Sequence, residues 1–538
     1  LRRRTFLAAG AAAAALGGLA YFRVEHLPVT VNYPGRLAGH RLRDRSTTTA
    51  RTSPLPFDVV VVGSGIAALT TVWKLRKEGV KNIALVTGPE RHGNAAGQRD
   101  HGIAYPTGAH YLPLPSMESM HVREMLSDFG VILKDPFSER PTYDERYVLH
   151  APGDRVLYQG KWQDGYLPSD DVPSAERDEH VRFFKLMDQY GTARGADGKR
   201  GFAVPIELAS SDVQFRMLDA MNFAAWLDQQ GFRSPTLRWY LDYCCRDDYG
   251  RHASEVSAYA GVAYFASRGG EATNAERGAV LTFPEGLSAL ATRLEQAADL
   301  PSSQVFDAMA TSIAQDGARV SIGCVHLDQH AQFEPFNLSA KAVVVAMPLF
   351  VAARVVDGIG ALGLQRAHLP PSAPWMVSNF ILRDFPAEQE GSALAWDNVV
   401  YGQADLGYVV STHQDIRQSK PERTSFTAYS ALAEMSCDDA RHWLDTASDE
   451  QLLRRASREL RAAYGWKLAT CVEDVEITLR GHAMASPAPG FLDNAGLLAL
   501  RQQRGPIQFA HADLSGYSVF EEAAWWGFRA AGRIAGGL

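Results

Sequence analysis

Cysteine is scarce in this chain of 538 residues: Cys244, Cys245, Cys324, Cys437 and Cys471 are the only ones. None forms a C-x-x-C pair, so no disulfide framework is predicted and buried thiols are the expected state. The adjacent Cys244 and Cys245 leave a vicinal disulfide as the alternative. Metal-ligand spacings such as H-E-x-x-H are missing too, and no metal is predicted. Nor is there a large excess of one charge. A net charge of −7 argues against nucleic acid as a partner and is compatible with a cationic substrate. Past residue 22 no apolar run approaches membrane length. With 46% hydrophobic and 21% charged residues, the composition is that of a globular protein of two or three linked domains.

Against those absences stands a run of four valines, Val59 to Val62, leading into Gly63-Ser64-Gly65-Ile66-Ala67-Ala68. It reads as a buried strand turning tightly into a helix. Gly63 permits the turn, Gly65 lets backbone N–H groups approach a pyrophosphate, and small Ala68 lets the helix pack closely on the sheet. From Leu69 to Glu78 the apolar residues Leu69, Val72, Trp73 and Leu75 recur at helical spacing, and Asn82 to Val86 reads as the next strand. The implied ligand of this βαβ opening is FAD or NAD(P). Where such a unit usually presents an acid to the ribose, this chain has Thr87, whose hydroxyl is a weaker partner; Glu90 is a second candidate.

The N-terminal Leu1-Arg2-Arg3-Arg4-Thr5-Phe6-Leu7 and the soft apolar stretch after it resemble a twin-arginine export signal, carried by proteins that fold before crossing. Export to the periplasm through the twin-arginine machinery is the expectation. Residues 6–22 are at the short end of what spans a bilayer, which leaves open a retained membrane anchor. Residues 23–56 read as a linker. The dinucleotide-binding domain is predicted to be discontinuous, over 57–110, 281–350 and 490–538. Residues 111–280 and 351–489 are assigned to a substrate domain made of a helical insertion and a second sheet. The fold class expected is α/β, a discontinuous Rossmann-like domain interleaved with an α+β domain.

Several further segments extend the pattern. Arg91-His92-Gly93-Asn94 resembles the R-x-G-G of the flavin-dependent amine oxidase superfamily, which includes monoamine and polyamine oxidases and is related to phytoene desaturases. Thr107-Gly108-Ala109-His110 is similar to its D-x-G-A-H, Phe283 to Leu290 to its P-x-G-G-x-x-x-L, and Val344 to Pro348 to its V-I-x-A-x-P. Phe509-Ala510-His511-Ala512-Asp513, then Ser515-Gly516-Tyr517 and Glu521-Glu522-Ala523, are similar to its C-terminal blocks. The matches run in order from residue 57 to 531.

The resemblance implies FAD, with its pyrophosphate over Gly63, Gly65, Ile66, Ala67 and Ala68 and further contacts from Thr87, Arg91, Gly93 and Asn94. Its isoalloxazine would lie between Gly108-Ala109-His110 and the C-terminal segment, with Ala310 near the adenine and Asp513 near the ribityl or phosphate region. Tyr517 falls where amine oxidases place a wall of an aromatic cage. His110 is a catalytic candidate or a packed histidine of the loop. Asn379 stands where the family commonly keeps a lysine that holds a water, so an electron acceptor other than oxygen is left open. Tyr243 to Gly250, with Arg246-Asp247-Asp248, reads as pocket lining or as an internal ion-pair network. The implied activity is oxidation of an amine, and of a polyamine in one version, by hydride transfer to FAD. The alternatives are a desaturase or isomerase of a lipid-like polyene, and a membrane-tethered assembly partner with structural FAD.

Overall fold

The computed structural model describes residues 27–44, 54–100, 102–327, 334–419 and 421–537. The twin-arginine stretch and the apolar residues 6–22 lie outside them. No helix among the described residues is long and apolar enough to cross a membrane.

The fold is mixed α/β. Its first sheet runs Val305–Phe306, Ile83–Val86, Leu55–Val62, Pro335–Val345, Arg319–His326, Ala308–Asp316, and Ile507–Phe509 joins beside Val343 to Val345. The central strands are parallel, with Val59 opposite Ile83 on one side and Ala342 on the other. Val59, Val60 and Val61 are fully buried, as a continuous apolar run covered on both faces should be. The helix Ile66–Lys77 leaves this sheet directly after the valine strand. The C-terminal helix Phe520–Ala535 crosses it so closely that a Cβ on Gly527 would lie 2.2 Å from the Ala67 carbonyl oxygen.

A second sheet has the order Val29–Asn32, Val472–Ala485, Ser372–Leu382, Thr424–Ser430, Tyr408–Val410, Asp397–Val400, Asp154–Tyr158, Lys161–Asp164. One face of Ser372–Leu382 sends Met376 and Phe380 into an apolar core, while Trp375 and Val377 on the other meet an aromatic cluster. Against that second face stands a helical lobe that includes Ser174–Thr192, Pro235–Tyr249 and Ala258–Ala266.

The expected linker is corrected in part. Within residues 23–56, Val29–Asn32 pairs in parallel with Val475 to Thr478, because Val29 and Val31 cover the apolar core behind that strand. Helix Arg36–Arg43 then packs Ala38 with Met309 and Val325 of the first sheet. This segment spans both sheets.

Candidate active site

The dinucleotide end is built from bare backbone. Gly63 has φ +122°, and a Cβ there would come within 2.3 Å of the Ala346 carbonyl oxygen, so only glycine permits the turn onto the neighbouring strand. Helix Ile66–Lys77 begins after Gly65 with no side-chain cap, although Ile66, Ala67 and Ala68 are buried. Buried, uncapped N–H groups at a helix start call for an anion. Gly93, at φ +55°, faces Gly65 so closely that its Cβ would lie 3.7 Å from the Gly65 Cα. These glycines keep side chains out of a cradle that fits a pyrophosphate.

Beside the cradle, Arg480 from the second sheet reaches across. Its guanidinium donates to both carboxylate oxygens of Glu90, at 2.8 and 2.7 Å, and to the Thr107 carbonyl oxygen at 3.0 Å. It also donates to the Asn94 side-chain oxygen at 3.4 Å. Glu90 is thereby held in a bidentate pair rather than left free for a ribose. Asn94 spends its amide on the Ala483 carbonyl. The Thr87 hydroxyl is buried 3.2 Å from the carbonyl oxygens of Gly88 and Phe306, so its proton goes to the backbone. Arg91 lies at the surface, about half exposed, beside Glu295. Ala310 is buried in its strand opposite Cys324.

At the far end of the Gly108 loop, His110 stacks on Tyr429 with ring centroids 4.7 Å apart. Trp396 at 5.3 Å and Tyr111 at 5.0 Å complete its surround. Burial pulls its pKa down to about 3, so the ring is neutral at physiological pH. Its Nε2 and the indole nitrogen of nearby Trp375 are buried and have no hydrogen-bond partner. Tyr429 donates to the Gly108 carbonyl oxygen at 3.0 Å, and Ala109 is exposed next to it. The loop is therefore tied down, with open space in front of it.

Beyond His110 the rings continue as a deep chamber. Tyr111, Tyr166, Tyr240 and Tyr264 lie far inside the molecule yet each keeps an accessible portion, as does Asp247. Burial, and then the neighbouring Asp248, push the Asp247 carboxyl up to about 7. Asp397 is raised well above the usual carboxylate range, again by burial first, and accepts from the Tyr166 hydroxyl at 2.9 Å. The two readings of Arg246-Asp247-Asp248 divide between its residues. Arg246 pairs with Asp242 at 3.0 Å and donates to the Ala404 carbonyl oxygen at 2.7 Å, and Asp248 takes Arg268 at 2.5 Å. Asp247 makes no hydrogen bond or ion pair among the described residues.

Three expected site residues are placed otherwise. Tyr517 donates its hydroxyl to Glu522 at 3.0 Å and packs edge-on against Tyr249 and Phe491 in the core of the helical lobe. The aromatic surround of His110 comes instead from Tyr111, Trp396, Tyr429 and Trp375. Asn379 is fully buried, donating to the Pro106 carbonyl oxygen at 3.0 Å and accepting from Thr427 at 2.7 Å, so no part of its amide is left to hold a water. Asp513 accepts from the Leu349 N–H at 2.9 Å and pairs with His511, capping a helix of its own domain. All five cysteines, Cys244 and Cys245 included, are free thiols.

With this geometry in hand, the comparisons are informative. A profile of NAD(P)-binding Rossmann-like domains matches residues 61–129. Putrescine oxidase, solved as a double mutant redesigned for cofactor binding, superposes with a TM-score of 0.60 at 17% identity, over 90% of this chain and 99% of its own. The fold is that of the amine oxidases. Cyclohexylamine oxidase from Brevibacterium oxydans agrees at a TM-score of 0.59 and 16% identity, covering 89% of this chain and 99% of that one. A CLA-producing fatty acid isomerase from P. acnes gives 0.58 at 14%, covering 89% and 98%. No curated protein matches the sequence. The cradle and the unpartnered His110 and Trp375 nitrogens fit an extended dinucleotide with a ring at the chamber mouth. Its ribose end departs from the usual acid at Thr87.

Proposed function

We propose that this chain is an FAD-dependent oxidoreductase that oxidises an amine. The carrying observation is the chamber: neutral tyrosine rings around an unpartnered buried carboxylate form a site for a cation, and it opens beside the loop where the fold places a cofactor ring. FAD bound there would supply the hydride acceptor. The uncapped helix start and Gly63, Gly65 and Gly93 hold the pyrophosphate; Tyr429, through Gly108, fixes the loop in front of which the substrate carbon sits. Neutral His110 orients the reacting amine through Nε2 without repelling a cation, and the stacked rings exclude water from it. Asp513 and Asn379 support these elements from behind.

Export by the twin-arginine route, with residues 6–22 as signal or anchor, belongs to this reading. A fatty acid isomerase shares the fold, which keeps the polyene alternative in view, but Asp247 and Asp397 oppose the carboxylate of a fatty acid. The decisive experiment is anaerobic addition of amines to the purified yellow protein. The expected outcome is bleaching of the flavin absorbance; a flavin that no amine reduces overturns the reading.

A further inference from the structure

Helix Pro235–Tyr249 carries three neighbouring acids with different fates. Asp242 takes Arg246, the His252 ring at 3.0 Å and the Ala253 N–H at 2.9 Å. Asp248 takes Arg268. Asp247 takes nothing, although it is as deep as its neighbour and keeps an accessible portion facing the tyrosines. A buried carboxylate without a donor is costly, and a fold that retains one leaves it for a donor from outside. No group of three metal-ligating side chains occurs among the described residues, and Asp247 offers one carboxylate within aromatic faces. That set suits an ammonium, which brings three N–H donors and is attracted by ring faces.

The chamber also has two ends. Tyr111 lies against His110 at one end, while the field of Asp247 acts on that same tyrosine from the other. We infer that Asp247 is a specificity residue that receives a second ammonium, remote from the reacting carbon, so that the substrate is a linear diamine lying past Tyr111 with its reacting end at His110. This rests on the amine reading above, and deepens it.

The test compares α,ω-diaminoalkanes with n-alkylamines of equal length on the full chain and on D247N. In the wild type the diamine is expected to have the higher kcat/KM. In D247N the diamine-to-monoamine ratio of kcat/KM falls at least tenfold, mostly through KM. An unchanged ratio overturns the assignment while leaving amine oxidation standing. Calorimetric titration of the diamine separates the two ideas. Binding that D247N weakens, without bleaching in the wild type, supports the ammonium station and sinks the oxidase reading; no binding at all sinks the station. D247N is expected to keep or raise the wild-type unfolding temperature, since Asp247 holds no other group in place. Should it fail to fold, a maximum in wild-type affinity along the diamine series, absent from the monoamine series, supports the station, and parallel series overturn it.

Discussion

Single residues decide where charge is tolerated inside this molecule. With its folded pKa raised to about 7 from a model value of 3.8, Asp247 binds a proton more readily in the native chain than in the unfolded one. Stability linked to it is therefore greatest below the unfolded value and falls as pH rises from about 4 towards 7. Asp248 opposes its ionisation, while Arg268 and Arg246 favour it. D247N should accordingly unfold at a higher temperature than the wild type at pH 8, by an amount on the order of a few kcal/mol, with the difference shrinking towards pH 4. Thermal melts across that range measure it; a difference independent of pH rules the account out. In the same range the KM of a cationic substrate should fall as pH rises through about 7 in the wild type and stay flat in D247N, because only the ionised carboxylate attracts it.

At the level of elements, the start of the C-terminal helix depends on one buried acid. Glu522 is fully buried and accepts from the Ile206 N–H at 2.6 Å, the Tyr517 hydroxyl at 3.0 Å and the Ser515 hydroxyl. It ties the helix Phe520–Ala535 both to its own preceding turn and to the helical lobe. E522A strands three buried donors and should cost about 2–4 kcal/mol, read as a lowered unfolding midpoint, with E522Q recovering part of it. Elements of this kind were unevenly legible. The valine strand and the helix after it read directly, because apolar runs and helical periodicity survive any packing. The fourteen-residue strand Val472–Ala485 did not, since Glu473, Asp474, Glu476 and Arg480 interrupt its apolar pattern. Their partners, Arg423 for Glu473 and Glu90 for Arg480, are distant in sequence. Likewise Ser448 to Tyr464 reads as one amphipathic helix, whereas the chain breaks it at Ser457 into Asp449–Ala456 and Arg458–Tyr464.

For the whole molecule, the arrangement of the two sheets is the property that matters, and Arg480 is its clearest single tie. It is nearly buried, and it joins the strand Val472–Ala485 to Glu90, Asn94 and Thr107 beside the cradle. R480M leaves Glu90 and the Thr107 carbonyl oxygen without a donor. We expect purified R480M to retain less flavin per chain than the wild type, at least a several-fold loss, and to unfold at a lower temperature. Full flavin content in R480M would show that the tie does not shape the cradle. The N-terminal segment acts at the same scale, with Val29–Asn32 in one sheet and Arg36–Arg43 on the other.

By itself the sequence determined the local chemistry of this protein: the tight glycine turn, the buried central strands, the helix starts, and the order of segments that spells out a dinucleotide-binding fold. These follow from steric limits and hydrophobic periodicity, which act between near neighbours along the chain. Only tertiary structure decided which polar groups are spent and which are free. Tyr517, Asn379 and Asp513 are consumed by partners far away in sequence, while Asp247 and His110 are left open, because burial and hydrogen-bond satisfaction depend on what the folded chain brings alongside.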